Sequence, residues 1–206
     1  MKNANFIPGD QYALSVQTGA IAAGASANSQ LLAFRWSSST EFAIVQEISC
    51  TGMFASTAFA AGAITLKATL ARAYTANASG GTALEFGGDS HIDNAALRTT
   101  MGDSAVGEFR IATTAALTAG TQVLEDNDFG QITTHSSGGV GSATPIIGSI
   151  YLPTTTLFKA NFAAGEYPLV LAQNEGFVIR ATVPGTGVWI AGFTVKWAEV
   201  ESGKRF

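Results

Sequence analysis

Apolar and polar side chains alternate with a period of two along much of this chain. In Ile64-Thr65-Leu66-Lys67-Ala68-Thr69-Leu70-Ala71-Arg72, one face carries Ile64, Leu66, Ala68 and Leu70, and the other Thr65, Lys67, Thr69 and Ala71. A strand sends successive side chains to opposite faces, so this run predicts a strand with one buried face. Glu41 to Phe54 alternates less cleanly. Phe42, Ile44, Ile48 and Phe54 fall on one side and Ala43, Val45 and Glu47 on the other, which predicts a strand covered in part on both faces. From Val188 to Val200, Trp189, Ala191, Phe193, Val195 and Trp197 share a face, opposite Ile190, Thr194, Lys196 and Ala198. Large aromatics concentrated on one strand face predict core rather than a ligand platform.

A second alternating run, Gly176 to Val183, precedes that strand across Pro184-Gly185-Thr186-Gly187. A Pro-Gly pair in a short connector between alternating segments predicts a hairpin. Further β-like runs are Glu108 to Leu117, Asp128 to Thr134, Thr144 to Leu152, Thr155 to Phe162 and Tyr167 to Ala172. They are punctuated at Ala119-Gly120, Gly138-Gly139-Val140-Gly141 and Gln173-Asn174. Only Asp93-Asn94-Ala95-Ala96-Leu97-Arg98 reads as helical, a single turn capped by Asp93. Short strands with Gly-rich turns predict an all-β fold, a single antiparallel β-sandwich that is jelly-roll-like. There is no repeat of fixed period and no linker. The expectation is one sandwich domain over residues 28–206, preceded by a loosely attached N-terminal arm over residues 1–27.

Composition narrows the function classes. Of 206 residues, 47% are hydrophobic and only 13% charged, with a net charge of −4, which excludes disorder and leaves ample material for a core. The surface must then be covered by Ser, Thr, Asn, Gly and Ala. Lys and Arg nowhere cluster, so a phosphate backbone finds no counter-charge and no nucleic-acid partner is expected. Ile48 to Leu66 and Phe129 to Phe158 lack charge apart from His135, yet both are too rich in Ser, Thr and Gly for hydrocarbon. No membrane span is expected. Met1 to Phe6 turns polar at once and offers no signal-peptide core, and the small-residue run Ile21 to Ala27 reads as a turn.

Candidate chemistry is sparse. The single cysteine, Cys50, excludes an intrachain disulfide and lies in an apolar run, as a buried inert thiol does. His91 and His135 each sit among Gly and Ser and read as loop histidines without a catalytic partner, although Ser136 and Ser137 adjoin His135. Glu125-Asp126-Asn127-Asp128 is the only local carboxylate cluster. Its spacing and the position of Gly130 do not match a calcium loop, so a solvated turn is expected, with a structural cation near Asp126 to Asp128 as the alternative. Gly138-Gly139-Val140-Gly141-Ser142 lacks the Lys and the following helix of a phosphate loop. Asn77-Ala78-Ser79 fits a glycosylation triplet without a secretory context. No catalytic, cofactor-binding or metal-binding residue is assigned, and no cofactor. The remaining charges, Lys67, Arg180 and Lys196 among them, read as single solvating residues on outward strand faces.

Several blocks resemble structural proteins of tailed bacteriophage virions. They are Ala71 to Ala76 with Gly80 to Leu84, Arg110 to Thr121, Tyr167 to Ala172, Asn174 to Arg180 and Trp189 to Glu199. The resemblance implies a non-enzymatic decoration or cement protein on the capsid exterior, made in the host cytoplasm. Its partners would be the major capsid protein lattice and copies of itself, often as a homotrimer, and no catalytic residue is carried over. The alternative is a carbohydrate- or receptor-binding module of a head or tail fibre. Such a module needs exposed aromatics, for which Trp36, Tyr74, Tyr151 and Trp189 are the candidates.

Overall fold

The computed structural model describes residues 9–22, 27–84, 86, 103–137, 149–161 and 165–201, with the backbone alone at 95–96 and 149–152. Every regular element among them is a strand. The major ones are β1 (Asp10–Gln17), β3 (Ser29–Trp36), β4 (Glu41–Thr57), β5 (Gly62–Ala76), β8 (Val106–Ile111), β9 (Thr121–Ser136), β13 (Glu175–Thr182) and β14 (Val188–Glu201). Shorter ones are β2 (Ile21–Ala22), β6 (Thr82–Leu84), β7 (Ala95–Ala96), β10 (Ser149–Leu152), β11 (Thr155–Lys159) and β12 (Leu169–Leu171).

These build two antiparallel sheets packed as a sandwich. Sheet A runs β10-β4-β14-β1-β7, with β11 and β12 following β10 along β4 and β2 beside β14. Sheet B runs β6-β8-β3-β13-β5-β9. The pairings nest: β1 with β14, β3 with β13, β4 with the interrupted strand β10–β12, and β5 with β9. Successive nested pairs fall alternately in the two sheets, which is the topology of a jelly roll. The connection from β5 to β9 carries the extra strands β6, β7 and β8, and these extend both sheets beyond β3 and β1.

The core lies between the sheets. Trp189, Ala191, Phe193, Val195 and Trp197 of β14 all face it and are fully buried, as their alternation predicts. Phe34 on β3 stacks on Phe177 with centroids 4.9 Å apart and meets Trp197 of the other sheet edge-on at 5.7 Å. On β5, Ile64, Leu66, Ala68 and Leu70 are buried as expected, but Thr69 and Ala71 are buried too.

Four expectations are corrected. Pro184 to Gly187 does not close a hairpin: β13 pairs with β3 and β5, β14 with β1 and β4, and the connector crosses between sheets. The arm does not extend to residue 27, because β1 pairs with β14 from Asp10 to Gln17 and buries Tyr12 and Leu14 in the core. Ala95 and Ala96, expected in a helical turn, form β7 beside Tyr12 and Ala13. On β4, extra residues at Ser56, Thr51 and Gln46 bulge against a regular β14. Each bulge reverses the alternation. Val45, Ile48, Cys50, Met53 and Ala55 therefore face the core, while Phe54 points outward and Ile44 joins Ala198 and Val200 in a small separate cluster.

Three of the four sheet margins are blunted, the fourth being the 16-residue β9. β6 and β7 are too short to template another strand, and the margin formed by β10, β11 and β12 is broken into three pieces. On that side the sheets meet: a Cβ at Gly130 of β9 would collide with the Leu157 carbonyl of β11. Glycine is required there by close approach.

Candidate functional site

Polar side chains that the sequence presents as isolated are gathered by the fold into three constellations. The first lies on the outer face of sheet B. Lys67 on β5 and Arg180 on β13 stand directly opposite each other, an unfavourable pairing of like charges. Asp128 on β9 resolves it. One oxygen accepts from Arg180 Nη2 at 2.9 Å and from the buried Thr69 hydroxyl, and the other meets Lys67 Nζ at 2.9 Å. Burial by itself would raise the Asp128 carboxyl, but the hydrogen bonds from Thr69, Lys67 and Arg180 together hold it below the usual carboxylate range. Nearby, Arg72 bridges Glu125 and Glu175. The run Glu125 to Asp128 is thus an irregular part of β9, with residues bulged against β5, rather than a turn. Two of its carboxylates are engaged by cations of this chain. No group of His, Cys, Asp and Glu suited to a metal occurs among the described residues.

The second constellation clamps a strap over the same face. After Ala73, whose φ of 47° turns the chain, residues 74–81 cross above β3 and β8 toward β6. Glu108 on β8 is buried beneath them. It accepts from the Ala78 amide at 2.9 Å, from the Tyr74 hydroxyl at 3.2 Å and from Arg110 Nε at 2.9 Å. Arg110 also donates to the Gly80 carbonyl, and Arg35 to the Asn77 side chain at 2.6 Å. Burial, and then the neighbouring Glu108, push the Tyr74 hydroxyl up, so it stays a donor.

The third constellation joins the sheets at one end. Glu199, 5% exposed at the end of β14, accepts from the Ser104 hydroxyl, from the Ala105 amide at 2.9 Å and from Trp197 Nε1 at 2.9 Å. Residues 104 and 105 lead into β8, so this carboxylate of sheet A holds the start of a strand of sheet B. Burial raises the Glu199 carboxyl, against the lowering effect of these three donors.

No protein-family model, curated protein or solved structure matches the chain.

The aromatics named as a glycan platform are internal. Trp36, Tyr74 and Trp189 are each fully buried, with Trp36 Nε1 donating to the Glu41 carbonyl at 2.8 Å. The Tyr151 side chain, His91 and Gly138 to Ser142 lie outside the described residues. His135 is exposed on β9 opposite Ala63, while the neighbouring Ser136 is buried and donates to the Phe59 carbonyl. The histidine and the serine thus point apart. Cys50 is buried in the core, and burial pushes its thiol up, away from the reactive thiolate. The expectation of single solvating charges is corrected for Lys67 and Arg180, which share Asp128, and for Lys196, which pairs with Glu47 at 3.3 Å.

Glu108 and Glu199 escaped sequence reasoning for different reasons. Glu199 continues the core-facing series of Trp189 to Trp197 by one more step, so a carboxylate at a core position was a readable signal. Glu108 lies on the outer face of β8, and only the distant strap buries it.

Proposed function

We propose that this chain is a non-enzymatic structural protein of a tailed-phage virion, decorating or cementing the capsid through contacts with the major capsid protein lattice and with copies of itself. One observation carries the reading: the outer face of sheet A is covered largely by short side chains. Ser15, Thr194, Ser49 and Thr156 stand in register across β1, β14, β4 and β11, with Ser15 and Thr194 hydrogen-bonded at 2.8 Å; Ser15 and Thr156 are exposed, Thr194 is half-buried and Ser49 is buried. In the next row, Ala13, Lys196, Glu47 and Lys159, both lysines pair with Glu47 and one net positive charge is left. Phe54, 40% exposed, and Ile190 provide an apolar centre beyond the hydroxyl row. Short side chains lose little conformational entropy when covered, and hydroxyl rows desolvate at lower cost than Lys or Glu. A lattice repeats each modest contact many times, which supplies avidity. Strand addition is suppressed at the short or broken margins β6, β7 and β10 to β12, so association through the face of sheet A is favoured there over pairing at its edges.

The three polar constellations support a non-enzymatic reading, since their carboxylates are engaged by this chain's own hydroxyls, amides and cations. The test is to purify virions of the phage that encodes the chain and quantify it against the major capsid protein. A fixed stoichiometric ratio, lost on Thr194→Arg or Phe54→Asp while folding is retained, supports the proposal. Absence from particles overturns it.

A further inference from the structure

The Glu199 constellation has a second property, visible in the registers around it. Asp10 on β1 stands directly opposite Glu199, and Glu201 at the end of β14 stands opposite Glu41 on β4. Asp103 lies beside Ser104, in the segment that Glu199 holds. Asp10, Glu41, Asp103 and Glu199 all act electrostatically on the Tyr12 hydroxyl, which burial and these charges together push up. The elements packed around Glu199 therefore contribute Asp10 and Tyr12 from β1, Glu41 from β4, Glu201 from β14 and Asp103 from the lead-in to β8. β7 contributes Ala95 and Ala96. Among the described residues none of Asp10, Glu41, Asp103 and Glu199 is in an ion pair, whereas Glu47, Glu108, Glu125, Asp128 and Glu175 all are.

We propose that Glu199 and the segment Asp103–Ala105 form an acid-tightened latch between the two sheets, closed most firmly when the carboxylates at this end of the sandwich are neutralised. Protonating a buried hydrogen-bonded carboxylate usually breaks something. Here the Ser104–Glu199 bond survives with its direction reversed, because the Ser104 oxygen, which accepts from the Val106 amide at 3.3 Å, has a second lone pair for the new proton. Both oxygens keep lone pairs for the Ala105 amide and Trp197 Nε1. What disappears is first the cost of holding a charge at a 5% exposed site with no cation paired to it among the described residues, and then the repulsion from Glu41, with smaller, solvent-screened contributions from the exposed Asp10 and Asp103. At neutral pH and low salt the latch holds under load, and the lead-in to β8 is the part it releases first. The sign follows from the raised carboxyl. A group that binds its proton more tightly in the folded chain adds stability in acid and loses it as pH rises through its folded value.

Amide hydrogen exchange on the full-length protein tests this, read at Ala105 and Val106 and corrected for the intrinsic pH dependence of exchange. Protection is expected to rise about fivefold between pH 7.5 and pH 5 at low salt, the factor that a single modest interaction is worth. It should rise by a smaller factor at pH 7.5 on adding 0.5 M salt, which screens the exposed Asp10 and Asp103 but leaves Glu199 buried and charged. The variant combining Asp10→Asn, Glu41→Gln and Asp103→Asn leaves the latch atoms in place and should raise protection at pH 7.5 part of the way to the acid level, because Glu199 itself stays charged and buried. In Glu199→Gln the pH dependence at these amides should vanish. Protection that falls in acid, or a pH dependence that survives in both variants, overturns the proposal.

Discussion

Asp128→Asn removes one charge and almost no volume, so it isolates the electrostatics of the sheet B face. In the native protein Asp128 is 10% exposed and engages Lys67, Arg180 and the fully buried Thr69. The substitution leaves Lys67 and Arg180 opposed across adjacent strands with nothing between them. Hydrogen bonds to a charged group contribute about 1.5–3 kcal/mol each, and breaking a buried pair costs about 3–5 kcal/mol. Lys67 is 29% exposed and partly screened by solvent, and the new amide oxygen still accepts one bond, so a loss of about 2–3 kcal/mol is expected. For a chain of this length that corresponds to a fall in Tm of roughly 4–12 °C. Urea denaturation at pH 7, followed by tryptophan fluorescence, measures it. The Asp128 carboxyl is held below its unfolded range, so its contribution is complete above the unfolded value and lost as pH falls through the folded one. Wild type and variant should therefore converge in acid. Adding Lys67→Met to Asp128→Asn should recover part of the loss at pH 7. A loss under about 0.5 kcal/mol, or a gap that widens in acid, would refute the reasoning.

Three further outcomes follow from other contacts. Gly130→Ala drives a methyl into the Leu157 backbone, which cannot swing aside as a side chain would, and should cost about 3 kcal/mol or more in the same denaturation assay. Glu108→Ala strands the Ala78 amide and the Tyr74 hydroxyl, so limited proteolysis should cut within residues 77–81 much faster than in wild type, with a stability loss of about 3 kcal/mol. Trp36, Trp189 and Trp197 are each fully buried, so acrylamide should quench native fluorescence only weakly, rising to free-indole behaviour on unfolding. Strong native quenching would restore the exposed-aromatic reading.

The fold class was legible because alternation is a local property wherever strands stay regular. β14 shows this, with five successive core residues at alternate positions. β4 defeats the same reasoning, since the bulges at Gln46, Thr51 and Ser56 are set by pairing with β14 and leave no mark in β4 alone. The Pro184 to Gly187 connector has hairpin chemistry, but the turn residues fix only a local reversal. Which sheet receives the next strand depends on β1 and β4 competing for it. β1 itself was readable: Tyr12, Leu14 and Val16 alternate, and the polar start of the chain masked them. The sites were less accessible than the fold. Asp128 sits in a run that looks like a solvated turn, and its partners Lys67 and Arg180 are distant in sequence. Their convergence exists only after β5, β9 and β13 are laid side by side.

The nested pairing also orders events during synthesis. β5 and β9, the innermost pair, can meet while the ribosome is still making the rest, and β3 can pair with β8, whereas the other edge of β3 waits for β13 and β1 waits for β14. Both Trp189 and Trp197 arrive with β14, so the aromatic centre of the core is filled only after every other strand described has been made. Until then β1, β3 and β4 expose apolar faces that have no permanent neighbour, and a nascent chain held at this stage is a substrate for chaperones or for aggregation.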